Sequence, residues 1–180
     1  MAVHIAFLRA VNVAPRWVKM EQLRKLLSDN GFDDVETHIQ SGNIRFRTAM
    51  RSRAKIVATL ERLIEDEFGF PVPVVLRTPD RLSRIAAYAD ALPDPIGGVQ
   101  SRYVTFCVET PSSDTARTIG GWEVDGERLM VDGDEIHWWL AKSAHQAKIS
   151  NARIEKLVGP ATTRDLKVVR ALAAKWGDPA

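Results

Sequence analysis

An α+β fold of two related halves on mostly antiparallel sheets is predicted by three observations. The first half of the 180-residue chain reads strand, helix, strand, strand, helix, strand, the ferredoxin-like βαββαβ order. The second half repeats that order less cleanly. Short turns built on Gly42, Gly126 and Gly133 join consecutive strands, and so tight a connection makes neighbours antiparallel. The halves divide at about 1–78 and 79–180 of one full-length domain, and the length allows that division.

In the first half, "VHIAFLR" (Val3 to Arg9) is apolar on both faces, as a central strand must be. In "KMEQLRKLLSDNGF", Met20, Leu23, Leu26 and Leu27 recur at helical spacing, and Gly31 ends the helix. "DVETHI" and "NIRFRT" are short strands joined by "QSGN". "SRAKIVATLERLIEDEF" sets Ile56, Leu60, Leu63, Ile64 and Phe68 on one helical face, and Gly69 closes it. "PVPVVLRT" returns as a strand that lies at an edge or starts late, because proline cannot donate to a ladder.

In the second half, Thr78 and Pro79 open the helix "DRLSRIAAYAD", and "LPDPIGG" is a connector. "SRYVTFCVE" is a strand and "SSDTARTI" a short helix. "GWEVDGERLMVDGDEIHWWLA" reads as a three-strand meander turning at Asp125-Gly126 and Asp132-Gly133. Trp138 and Trp139 then point to opposite faces, one into the core and one either exposed or under a helix. Two helices, "NARIEKLV" and "TRDLKVVRALAAKW", finish the chain.

Composition narrows the function. With 45% apolar and 27% charged residues the chain reads as a soluble globular protein. A net charge of +2 does not demand a nucleic-acid partner. The basic run Arg45, Arg47, Arg51, Arg53 and Lys55 reads as a solvated face. The first residues show no secretory signal and no stretch long enough to span a bilayer, and Cys107 is a lone cysteine, so a cytoplasmic protein without membrane partners is expected. The four histidines have no metal-ligand spacing, and no phosphate loop, dinucleotide fingerprint or nucleophile elbow occurs. No metal and no cofactor is expected.

Further identity comes from matched stretches. "FLRAVNV" followed by "KMEQLRKLLSDNGFDDVETHIQSGNIRF", and "AKISNARIEKLVGPATTRDLKVVRALA" near the end, are similar to the bacterial family known as domain of unknown function 1697. The resemblance covers both ends of the chain. It implies one domain of two intertwined, related ferredoxin-like units and no established activity. Ala10, Ala14 and Pro15 depart from glycines of the family pattern, His38 from a tyrosine and Asp165 from an asparagine.

Candidate site residues gather in four segments. Thr162 or Thr163 can N-cap the last helix with Asp165 as partner, or the two hydroxyls and Arg164 can form an anion pocket. Gln40, Ser41 and Asn43 offer donors at a strand connection, or satisfy buried backbone where the halves cross. Arg9 and Asn12 leave the first strand at its carboxyl end, and Lys148 precedes the Ser150 N-cap. Trp17 is a candidate ligand-facing ring. Donors and positive charge are present, but no base or nucleophile has a clear partner. A binding module for a small anionic ligand or nucleic acid is therefore expected first. An enzyme acting on a small anion at the same place, and a purely structural role for these segments, stand as alternatives.

Overall fold

A computed structural model describes residues 1–178. The chain separates into two compact units, one of Met1–Arg81 together with residues 176–178 and the other of Leu82–Lys175.

The first unit is built from β1 (Ala2–Leu8), α1 (Met20–Asp29), β2 (Asp33–His38), β3 (Asn43–Thr48), α2 (Arg53–Phe68) and β4 (Val74–Arg77). Its antiparallel sheet has the order β2-β3-β1-β4, so the two-sidedly apolar β1 is central and the proline-led β4 is an edge. Ala6, Leu8, Ile44, Phe46, Val74 and Leu76 line one face and are buried with Met20, Leu23 and Leu27 of α1 and Ile56, Leu60 and Ile64 of α2. Gly31 and Gly69 take the left-handed conformation at the ends of those helices, where a side chain would be strained.

The second unit holds α3 (Pro79–Ala91) from Leu82, then β5 (Ser101–Cys107), α4 (Ser113–Gly120), β6 (Glu127–Asp132), β7 (Glu135–Leu140), α5 (Asn151–Val158), β8 (Ala161–Asp165) and most of α6 (Leu166–Trp176). The sheet order β6-β7-β5-β8 repeats that of the first unit. Two antiparallel α+β halves of ferredoxin-like order make up the chain, and a helix follows the last strand of each.

The likeness extends to single hydrogen bonds. Leu8 N–H donates to the Gly42 carbonyl at 2.8 Å, and Cys107 N–H to that of Asp134 at 2.9 Å. Arg9 N–H donates to the Pro73 carbonyl, and Val108 N–H to that of Pro160. Glu61 of α2 accepts from Val74 N–H, and Glu155 of α5 from Ala161 N–H, each at 2.9 Å. By register, Ile5 lies opposite Arg45 and Arg77, and Val104 lies opposite His137 and Arg164.

Two expectations are corrected, and one open alternative is decided. The meander has two strands, since Val124 only bridges to Glu127 around the Asp125-Gly126 turn. Residues 161–165 form β8 and do not begin a helix. Trp138 and Trp139 do point to opposite faces, yet both are covered, at 8% and 3% exposure.

Candidate functional site

In the first unit, two loops are tied together at the carboxyl end of β1. Asn12 holds both: its Oδ1 accepts from Val18 N–H at 2.9 Å, and its Nδ2 donates to the Gln40 carbonyl at 2.5 Å. Gly42 sits against β1 so closely that a Cβ there would lie 2.6 Å from Val11 Cγ2 and 2.7 Å from Leu8 Cβ. Asn43 is buried and donates through Nδ2 to the His38 carbonyl and to Ser41 Oγ, both at 3.0 Å. Ile39 has a φ of +51°, a strained choice for a β-branched residue, and stays half-exposed. Arg9 and Asn12 are partly buried; the Gln40 side chain faces solvent, and Trp17 is 62% exposed.

In the second unit, Lys148 is exposed just before α5, whose Ser150 cap accepts from Arg153 N–H. Its backbone is fixed by Glu127, a residue the sequence reading passes over. The Glu127 carboxylate is buried at the start of β6 and accepts from Lys148 N–H at 2.6 Å and Ile149 N–H at 3.2 Å. Lys142 Nζ lies 3.1 Å away. Burial pushes this carboxyl up, but the Lys148 N–H, the Lys142 ammonium and the Ile149 N–H outweigh it and hold the group below its ordinary range. Strand alternation puts Glu127 on the face of Leu129 and Val131, and an acid at a core-facing position is the signal that reveals it.

On β8 the side chains alternate. Thr163 is partly exposed; its Oγ1 lies 2.7 Å from Thr105 Oγ1 and donates to Asn151 Oδ1 at 2.7 Å. Thr162 and Arg164 are buried on the opposite face, Arg164 at 7% exposure. Arg164 donates to Thr162 Oγ1 at 2.8 Å and to the Thr163 carbonyl at 3.0 Å. Burial pushes its pKa down to about 10, so it keeps its charge at neutral pH. The cap of α6 is Asp165, whose Oδ1 accepts from Lys167 N–H at 2.7 Å. Neither Thr162 nor Thr163 caps that helix, because both are paired to β5.

The predicted residues therefore fall into a first-unit set (Arg9, Asn12, Gln40, Ser41 and Asn43) and a second-unit set (Lys148, Thr162, Thr163 and Arg164). The basic run is only partly a solvated face: Arg45 pairs with Glu36, Arg47 with Asp34, and Arg53 donates to the Leu76 carbonyl.

The family model described as "Protein of unknown function (DUF1697)" matches residues 1–137. The chain belongs to this family. No curated protein matches this DUF1697 member. Among solved structures it is similar to the conserved bacterial protein SP0830 from Streptococcus pneumoniae, with a TM-score of 0.71, 25% identity and coverage of 98% of each chain. Among the described residues, no group of His, Cys, Asp and Glu side chains is placed to hold a metal, and no helix is long and apolar enough to cross a membrane.

Proposed function

We propose that the protein is a binding module for a phosphate-bearing or other anionic ligand, a nucleotide or nucleic acid. The observation that carries the reading is the locked pair of loops in the first unit. Asn12, Gly42 and Asn43 are spent on holding backbone, while the Gln40 amide and the Trp17 ring remain in solvent. Donors on a rigid loop lose little freedom when they bind, which is what a small anion requires. Arg9 supplies charge beside them. In the second unit the exposed Lys148 ammonium is the contact group, with Thr162, Thr163 and Arg164 as support.

Thermal-shift titration with nucleotides and sugar phosphates, and binding of mixed oligonucleotides across a salt series, test this. A bound anion raises the melting temperature, and the stabilisation grows with the logarithm of the ligand concentration once that exceeds Kd. Binding to a nucleic acid weakens steeply with salt, by roughly one log-slope unit per phosphate contacted. Gln40→Ala and Lys148→Ala are expected to weaken binding with little change in the melting temperature of the unliganded protein. If neither substitution alters any observed binding, or no anion binds, the reading fails.

A further inference from the structure

The second unit contains a cleft at a place where the first unit carries an arginine. A cavity of about 270 Å³ is lined by Tyr103, Trp138, Asn151, Thr163 and Asp165, with small residues of the 144–147 segment as its rim. Strand register and helix position give four of these a counterpart. Tyr103 opposite Trp138 corresponds to His4 opposite Phe46, and each aromatic pair has centroids 5.7 Å apart. Thr163 corresponds to Leu76 on the edge strand. Asn151 and Arg53 are both the first residue of a helix capped by serine, Ser150 and Ser52. In the first unit the Arg53 guanidinium crosses to the Leu76 carbonyl, 3.0 Å away. In the second, Asn151 is too short to fill that space and accepts from the Thr163 hydroxyl instead. Arg53 and Leu76 of the first unit stand where the second carries Asn151 and Thr163, so the polar lining of the cleft is a property of the second unit's side chains.

The polar groups of the lining are set in direction. Because Thr163 donates to Asn151 Oδ1, the amide is oriented with its Nδ2 donors left over. Asp165 uses Oδ1 on Lys167 N–H, which leaves Oδ2 as an acceptor. A donor and an acceptor beside aromatic walls match the edge of an amino-bearing heteroaromatic base. A neighbouring cavity of about 190 Å³ shares Asp165 and is lined by Gln100, Ser101, Arg102, Lys167 and Arg170, of which Arg170 is paired with Asp90.

We propose that this cleft binds the adenine-type base of a nucleotide, with Tyr103 against the ring, Asn151 and Asp165 reading its edge, and the adjoining basic cavity receiving its phosphate. The inference does not rest on the anion reading, since a base without phosphate suffices to test it. Adenosine, AMP and a short oligoadenylate are titrated into the full chain by calorimetry, and by NMR at the Trp138 indole resonance, assigned with Trp138→Phe. Saturable binding of adenosine is expected, several-fold tighter for AMP. Asn151→Arg, which copies the first unit, is expected to abolish binding at unchanged melting temperature. Tyr103→Ala is expected to weaken binding at least tenfold. Oligoadenylate binding tighter than AMP supports a single-stranded nucleic acid as the source of the base, and the reverse order supports a free nucleotide. Absence of adenosine and AMP binding at millimolar concentration, or binding that survives Asn151→Arg, overturns the proposal.

Discussion

Arg77 and Arg164 are the same residue of the two halves. Arg77 lies opposite Ile5 at the end of β4, Arg164 opposite Val104 near the end of β8, and each donates Nη1 to the carbonyl of the residue before it. Both are buried, at 3% and 7% exposure. A guanidinium kept under cover twice at one register position is part of the framework, and it makes charge-assisted bonds to oxygens of its own edge strand.

The expected consequence is a large stability loss from either residue alone. Arg77→Met or Arg164→Met should each cost about 2–4 kcal/mol, because each removes the charge-assisted hydrogen bonds of a buried guanidinium. Lysine should recover little of it, having no planar fork. Urea denaturation measures both. A loss below about 0.5 kcal/mol, the level of an ordinary surface substitution, would show that the guanidinium is dispensable.

Gly42→Ala tests the loop lock. Its φ is +78° and the added Cβ would overlap Val11 and Leu8 side chains rooted in the core. Strain and overpacking together should cost about 2–4 kcal/mol. The loss should be accompanied by faster amide exchange at Leu8, whose N–H donates to the Gly42 carbonyl. Unchanged exchange at Leu8 would mean that the turn adapts without moving β1.

Glu127→Gln probes the strand that fixes Lys148. The folded carboxyl titrates below its ordinary value of 4.5, so its stabilisation is complete above that value. As pH falls the unfolded chain takes up the proton first, and the stabilisation disappears as pH drops through the depressed folded value. Glutamine should cost about 1–3 kcal/mol at neutral pH, since it keeps an acceptor but loses the charge facing Lys142. It should also flatten the acid limb of the stability curve. A variant with an acid limb as steep as the parent would exclude Glu127 as its origin.

Much of the fold was readable in the residues. Apolar periodicity placed α1 and α2, two-sided burial made β1 central, and Pro71 and Pro73 put β4 at an edge. β8 escaped because its inward positions are Thr162 and Arg164, so the strand has no hydrophobic signature and its threonines imitate a helix cap. The site was harder to read. The "QSGN" turn was visible as a cluster of donors, but which donors are spent on backbone depends on partners such as Val18 and His38. The cleft beside Tyr103 left no local mark, since it exists only through comparison of Asn151 with Arg53.

The turn before β3 and the turn before β7 make the same backbone hydrogen bond and place Asn43 and Glu135 at matching register. One offers a neutral amide and the other an ionisable acid. The strands on either side therefore hold the same register around two hairpin apices of different length and different polarity. Chimeras that exchange Asn43 and Glu135 would move an acid from the second half to the first and test how far the strands alone fix each turn.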